Sequence, residues 1–355
     1  MESRIQKIRE TLKDKNLDCM LLYKPENRRY VSGFTGTTGY VVVTHDEAKF
    51  MTDFRYIEQA KTQCQGFEII EISKEKPLTY VLNQFQISKL GIEEDHVTYG
   101  QYKDYSMKLD QIELIALDGA LTKLRVIKDE DEINNITQAA RIADKAFIHI
   151  LKYVKPGIME IEVALEIESF MKQKGASKLS FDMIVASGER SALPHGVASN
   201  KTLSLGDTIT LDFGCVYNGY CSDMTRTFIL GQATEKQKEI YAIVLEAQNK
   251  ALQSVRPGIT GAELDEIARD VISKKGYGAY FGHGLGHGVG LEIHELPHIN
   301  QLGKEPLAPG MVITIEPGIY VPGFSGVRIE DLVVVTHDGY EVLSKSTKEF
   351  IELNR

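Results

Sequence analysis

Two aspartates sit where acids are costly. Thr208-Ile209-Thr210-Leu211-Asp212-Phe213-Gly214 is an apolar β-type run interrupted by an acid, and Tyr217-Asn218-Gly219-Tyr220 follows it. Asn-Gly is the strongest short hairpin signal. With Asn218-Gly219 as a two-residue turn, Tyr217 faces Tyr220, Gly214 faces Asp223 and Asp212 faces Thr225. Asp212 and Asp223 then form a diagonal pair on one face, about 7–8 Å apart at the backbone. Two inward carboxylates are unfavourable unless something positive lies between them, and one or two shared cations would supply it. Either aspartate alone suits a turn cap or a partner for Arg226. With both on one face, the cap and cation readings stay open together.

Two glutamates repeat the pattern. Glu316 ends the apolar run Met311-Val312-Ile313-Thr314-Ile315 and is stopped by Pro317-Gly318, while Glu330 lies within the strand-like Val327-Arg328-Ile329-Glu330-Asp331-Leu332-Val333-Val334-Val335. A salt bridge, with Arg328 the obvious partner, is the simpler reading of such an acid. Between them, Phe281-Gly282-His283-Gly284-Leu285-Gly286-His287-Gly288-Val289-Gly290 leads to Ile293-His294-Glu295, so four of the nine histidines fall between 283 and 298. Alternating glycines oppose a helix and let backbone and imidazoles crowd around a centre. The spacing is not the HExxH of a zinc helix. A lone histidine is more often a satisfied polar group, but this cluster favours a site.

Four carboxylates and one imidazole make a mainly oxygen donor set. It suits two divalent ions of the Mn²⁺ kind, with Co²⁺, Fe²⁺ and Zn²⁺ as open alternatives. Two such ions, roughly 3.5–4 Å apart, can share a hydroxide, polarise a carbonyl and stabilise a tetrahedral intermediate. Neither GxSxG nor GxxxxGK[ST] occurs in the chain, so the expected chemistry is metal-assisted hydrolysis without a side-chain nucleophile.

The elements that must position these residues follow from pattern. At 355 residues two domains are expected, each of roughly 100–200 residues. Residues 1–125 alternate helical and β-type stretches: a helix over Ile5–Asn16, apolar runs Met20–Tyr23, Tyr40–Thr44 and Lys49–Thr52, and a helix over Phe54–Thr62. That alternation predicts a small α/β domain with a mixed or parallel sheet. The boundary falls near Leu124–Lys128, and the acidic Lys128-Asp129-Glu130-Asp131-Glu132 opens a long helix striped by Ile133, Ile136, Ala140, Ala143, Phe147, Ile150 and Leu151. Within residues 126–355, Val154-Lys155-Pro156-Gly157-Ile158 is echoed 101 positions later by Val255-Arg256-Pro257-Gly258-Ile259, and Glu162 and Lys174-Gly175 recur at the same offset. Asp212 and Glu316 are 104 positions apart, and Asp223 and Glu330 are 107. Two similar α/β halves related by an approximate two-fold, each giving two carboxylates, account for these offsets.

Composition narrows the class. A content of 43% hydrophobic and 26% charged residues is that of an ordinary globular protein, and a net charge of -9 argues against a nucleic-acid partner. No run approaches a membrane span, and Met1-Glu2-Ser3-Arg4-Ile5-Gln6-Lys7 does not read as a signal peptide. Cys19, Cys64, Cys215 and Cys221 show no paired spacing and read as reduced, buried thiols. A cytoplasmic location is expected.

These segments resemble the pita-bread metallopeptidases, in particular the Xaa-Pro dipeptidase (prolidase) and aminopeptidase P branch. Leu211-Asp212-Phe213-Gly214 with Ser222-Asp223-Met224-Thr225-Arg226-Thr227 looks like the paired-aspartate hairpin of that family. Gly282–Gly288 resembles its histidine segment, and Ile315-Glu316-Pro317-Gly318-Ile319-Tyr320 and Gly326-Val327-Arg328-Ile329-Glu330-Asp331 its glutamate segments. The resemblance implies Asp212, Asp223, His287, Glu316 and Glu330 as metal ligands. Catalytic roles are implied for His195, His294, Glu316 and Arg328, with Glu316 also a proton shuttle. His195, His283, His294, His298 and Tyr320 are the implied substrate-facing group. Asn27–Phe34 and Thr52–Ala60 resemble the prolidase-type N-terminal domain, which implies a homodimer. The implied reaction is hydrolysis of Xaa-Pro bonds in short proline-containing peptides, dipeptides first. Aminopeptidase P action on longer peptides is the alternative, and a non-catalytic binding protein is disfavoured because all five ligand positions are filled. One departure stands out: Leu296-Pro297-His298 places a histidine where prolidases often carry an arginine for the dipeptide carboxylate.

Overall fold

The computed structural model describes residues 2–109 and 111–354; Met1, Asp110 and Arg355, which fall inside the two expected domains, lie outside the described residues. The chain divides into two compact units, Met1–Arg125 and Val126–Arg355.

The first unit is built on a six-stranded sheet in the order Glu68–Glu71, Ala48–Thr52, Tyr40–Thr44, Cys19–Leu22, Lys89–Ile92, Glu113–Ala116. Tyr40–Thr44 pairs antiparallel with both of its neighbours and the other three pairings are parallel, so of the mixed or parallel sheet expected from the α/β alternation the mixed one is found. The helix expected from Phe54 begins only at Ile57. Asp53 accepts from the Arg55 N–H at 3.0 Å, so a side-chain turn competes with the first helical turn.

In the second unit the long helix Glu130–Tyr153 starts from a capping box, in which Asp129 accepts from the Glu132 N–H and Glu132 bonds back to the Asp129 N–H. Ile136, Ala140, Ala143, Phe147 and Ile150 are buried along its stripe, and Ile133 and Leu151 are half-buried at its ends. The sequence echo is a structural repeat. The 14-residue helices Glu160–Gln173 and Gly261–Lys274 begin 101 positions apart, and matching bridges, Met159 with Thr202 and Thr260 with Pro306, precede them. Each half has its own sheet. One orders Glu352–Leu353, Met224–Leu230, Thr208–Phe213 and Ile184–Ser187; the other orders Glu295–Ile299, Gly286–Gly288, Val312–Ile315, Asp331–Val335 and Tyr340–Val342. Each half also has its own apolar core, the first centred on Phe147, Phe213 and Phe228, the second on Val244, Ile313 and Val333.

The aspartate hairpin has the expected register, Tyr217 opposite Tyr220 and Asp212 opposite Thr225. Asn218 and Gly219 take φ values of 44° and 80°, the positive pair a type I′ turn requires. The hairpin is nevertheless split between two sheets at Gly214, where a Cβ would lie 1.8 Å from the Ser222 carbonyl oxygen. Glu330 differs from expectation. It lies in a break between the strands Ser325–Arg328 and Asp331–Val335, which belong to different sheets. Its N–H instead reaches the Thr225 carbonyl at 3.2 Å, so the chain leaves one ladder to bond with the first half. Among the described residues no helix is long and apolar enough to cross a membrane.

Candidate metal centre

Strands and the breaks beside them, in both halves, deliver acids to one place. Donor atoms, one each from Asp223, His287 and Glu330, all lie within 4.8 Å of one another, close enough to hold a metal ion together. His287 Nε2 is 3.6 Å from Asp223 Oδ2 and 3.4 Å from Glu316 Oε1, which adds a fourth member. Asp212 joins through Arg328, whose Nη2 lies 2.5 Å from Asp212 Oδ2. Two pairings differ from the simpler sequence readings. Arg328 holds Asp212 and not Glu330, while Arg226 holds Asp331 at 2.7 Å and neither Asp212 nor Asp223. Arg226 points away from the acid cluster because its strand alternates, placing neighbouring side chains on opposite faces.

The electrostatics are those of a site short of positive charge. Burial, followed by repulsion from Glu330, Asp212 and Glu316, pushes the Asp223 carboxyl well above its usual range. Glu330 rises well above its own for the same reasons, and burial pushes Glu316 up to about 8. Asp212 Oδ1, Asp223 Oδ1 and Glu330 Oε1 are buried with no hydrogen-bond partner among the described residues. Orphaned carboxylate oxygens are rare and unfavourable inside a protein. Two of them belong to Asp223 and Glu330, which meet the His287 imidazole, and that set fits a divalent cation centre. Burial, then the neighbouring His294, lowers His287 to about 4, so it is neutral at ordinary pH, as a ligand must be.

Two threonines orient these acids. Thr225 Oγ1 donates to Glu330 Oε2 at 2.7 Å and accepts from Arg328 Nε at 3.0 Å. Thr314 Oγ1 donates to Glu316 Oε1 at 3.1 Å and accepts from the His287 N–H at 3.1 Å. Each hydroxyl receives a proton on one side, so its own proton must point at the carboxylate. The sequence reading did not single out either residue in this role. Thr314, two positions before Glu316 on the same strand face, could have been found. Thr225 could not, because its partner lies 105 positions away.

Four further histidines lie near this cluster. His283 Nε2 lies 2.8 Å from the Tyr320 hydroxyl, which accepts from Arg328 Nη1 at 2.7 Å. Burial and the Arg328 charge lower His283 to about 4, and burial lifts Tyr320 to about 12. The His294 ring centre is 4.3 Å from that of His287. His298 stands across the ladder from His287 and is exposed. His195 is exposed too, on a segment tied to the site where Arg328 Nη1 donates to the Pro194 carbonyl at 3.2 Å. The four cysteines are free and buried. Burial pushes Cys19, Cys215 and Cys221 up to about 12 and Cys64 to about 11, so none is a ready nucleophile.

Residues 134–337 match metallopeptidase family M24, and residues 4–127 match the creatinase/prolidase N-terminal domain. An Xaa-Pro dipeptidase of Pyrococcus horikoshii is 44% identical over 353 residues, which cover 99% of each chain. Among solved structures, an Xaa-Pro dipeptidase from Bacillus anthracis superposes with a TM-score of 0.96 at 48% identity, covering 99% of each chain. An X-Pro aminopeptidase from Thermotoga maritima superposes with a TM-score of 0.91 at 38% identity, covering 97% of this chain and 99% of that one.

Proposed function

The chain belongs to metallopeptidase family M24, with a small N-terminal α/β domain ahead of a pseudo-two-fold pita-bread domain, and on that premise we propose that it hydrolyses Xaa-Pro bonds, Xaa-Pro dipeptides first. The observation that carries this reading is the convergence of Asp223, His287 and Glu330, with Asp223 Oδ1 and Glu330 Oε1 buried and without hydrogen-bond partners among the described residues. Asp212, Asp223, His287, Glu316 and Glu330 would hold two divalent ions. Mn²⁺ is the first choice for so oxygen-rich a donor set, ahead of Co²⁺, Fe²⁺ and Zn²⁺. When bound, the metal pair supplies Lewis-acid polarisation and an attacking water activated near neutral pH.

The side chains do the rest. Glu316, steadied on Oε1 by Thr314, takes a proton from the attacking water and returns it to the departing proline nitrogen. Arg328 holds Asp212, Thr225 and Tyr320 in one arrangement while keeping its charge in the site. His195 and His294 hold the polar atoms of the scissile region, and His283 with Tyr320 closes the same wall. The Xaa-Pro bond has no N–H to offer and a fixed ring, so recognition must come from shape and from the peptide's two ends. His298, exposed across from His287, meets the free carboxylate of a dipeptide. The reading also places the protein in the cytoplasm as a homodimer. Four buried free thiols support the location, and the resemblance of the N-terminal domain supports the dimer.

A histidine at position 298 also favours a second reading, in which a weaker carboxylate anchor admits longer peptides, as in an aminopeptidase P. The experiment is hydrolysis of Ala-Pro and Ala-Pro-Ala by metal-stripped protein, with and without Mn²⁺. Metal-dependent release of proline from the dipeptide supports the first reading. Cleavage of the tripeptide alone moves the assignment to the second, and cleavage of neither overturns both.

A further inference from the structure

The segment bearing His195 is held by a carboxylate that plays no part in the metal cluster. Glu160, the first residue of the helix Glu160–Gln173, is completely buried. Its Oε1 accepts from the Ser187 N–H at 2.8 Å and from Ser187 Oγ at 2.7 Å. Its Oε2 accepts from the Ser199 N–H at 3.1 Å and from Ser199 Oγ at 2.6 Å. Arg190 also pairs with Oε2, and its other nitrogen donates to the Val197 carbonyl at 2.9 Å. One side chain therefore ties together the start, the interior and the end of residues 187–199.

The middle of that segment is tied to the site instead. The Gly326 N–H donates to Ser191 Oγ at 2.8 Å, and Arg328 donates to the Pro194 carbonyl. His195 projects, exposed, between these two sets of anchors. The other half solves the same problem differently. The position matching Glu160 is Gly261, where a Cβ would lie 2.1 Å from the His298 carbonyl oxygen. There the helix start packs directly on the backbone of the histidine-bearing strand. In the first half a carboxylate spans the gap.

We propose that Glu160 is a positioning residue that sets the height and direction of His195 by closing the 187–199 segment at both ends. The inference rests on the reading of His195 as a substrate-facing group. A carboxylate suits the task because it accepts several bonds from two directions, and burial removes the water that would compete for them. A misplacement of about 1 Å at a positioning group can cost on the order of 100-fold in turnover.

The test is a double-mutant cycle on the Mn²⁺-loaded protein, with kcat and KM for Ala-Pro and calorimetric Mn²⁺ affinity measured for each variant. Glu160→Gln keeps the shape but turns donors toward donors. Ser199→Ala is milder, removing the Oγ bond to Glu160 and the one Oγ accepts from the Lys201 N–H while leaving the carboxylate in place, and it serves if Glu160→Gln fails to fold. Either variant is expected to lower kcat/KM by about 10- to 100-fold while Mn²⁺ affinity stays within twofold. In a His195→Ala background the same change should have no further effect. Effects that multiply with His195→Ala, or a parallel loss of Mn²⁺ affinity, would overturn the proposal. So would wild-type kinetics in Ser199→Ala beside an impaired His195→Ala, with the functional reading left standing. Full activity in His195→Ala would sink that reading and the inference together.

Discussion

Asp223→Asn should stabilise the metal-stripped protein and abolish the stabilisation that metal brings. Asp223 is 5% exposed, and its Oδ1 has no hydrogen-bond partner among the described residues. One of its carboxylate oxygens lies within 4.8 Å of one of Glu330. Two ionised carboxylates at that distance repel by about 3.5 kcal/mol at an effective dielectric constant of ~20. A retained proton relieves much of that, and a gain of about 1–2 kcal/mol is expected from the neutral amide. For a domain of this size each kcal/mol moves Tm by about 2–4 °C, so the melting point in chelator at pH 8 should rise by about 2–8 °C. Added Mn²⁺ should raise Tm of the parent protein by mass action and leave Asp223→Asn unmoved. An unchanged or lower Tm in chelator would refute the view that Asp223 is held against its neighbours' repulsion. An undiminished response to Mn²⁺ would refute its place as a ligand.

Other consequences are equally direct. The folded, metal-stripped protein holds protons on Asp223, Glu330 and Glu316, the last up to about pH 8, that the unfolded chain releases near the ordinary carboxylate range. Its stability should fall as pH rises through that window, and Mn²⁺ binding should release protons measurable by calorimetry in two buffers. His283 and His287, lowered from 6.5 to about 4, act with the opposite sign below pH 6.5. The decline should therefore be clearest between pH 6.5 and 8, and a stability that rises across that interval would contradict it. Glu330→Ala should bind less metal and lose turnover while its circular dichroism stays that of the parent; full activity would remove Glu330 from the site. In Gly214→Ala the new Cβ would meet the Ser222 carbonyl at 1.8 Å, so the hairpin must shift at a cost of about 3 kcal/mol. A fall in Tm of about 6–12 °C is expected, and a change below one degree would show that the strand break is not set by that contact.

Much of the frame was legible because it is local. Asn218-Gly219 specifies its turn through two positive φ angles, and a two-residue loop sets the register of everything beside it, so Asp212 opposite Thr225 could be read at once. Asp129 and Glu132 announce the start of the long helix by the bonds that they exchange. The repeat was visible because its punctuation, Pro-Gly and Lys-Gly, recurs at one offset, and the helices Glu160–Gln173 and Gly261–Lys274 keep that offset. That carboxylates and an imidazole are the polar groups these segments bring was also plain from their composition.

Tertiary structure alone decided which charge meets which. Arg328 is two positions from Glu330 but pairs with Asp212, 116 positions away, and Arg226, close to both aspartates, pairs with Asp331. Glu330 leaves its strand because its N–H finds Thr225 in the other half. Glu160 carries no sign in the sequence of its grip on residues 187–199. Turns, caps and registers depend on neighbours along the chain, so sequence by itself determined them. Ion pairs and orphaned oxygens depend on which surfaces the fold buries against each other, and only the folded protein sets that.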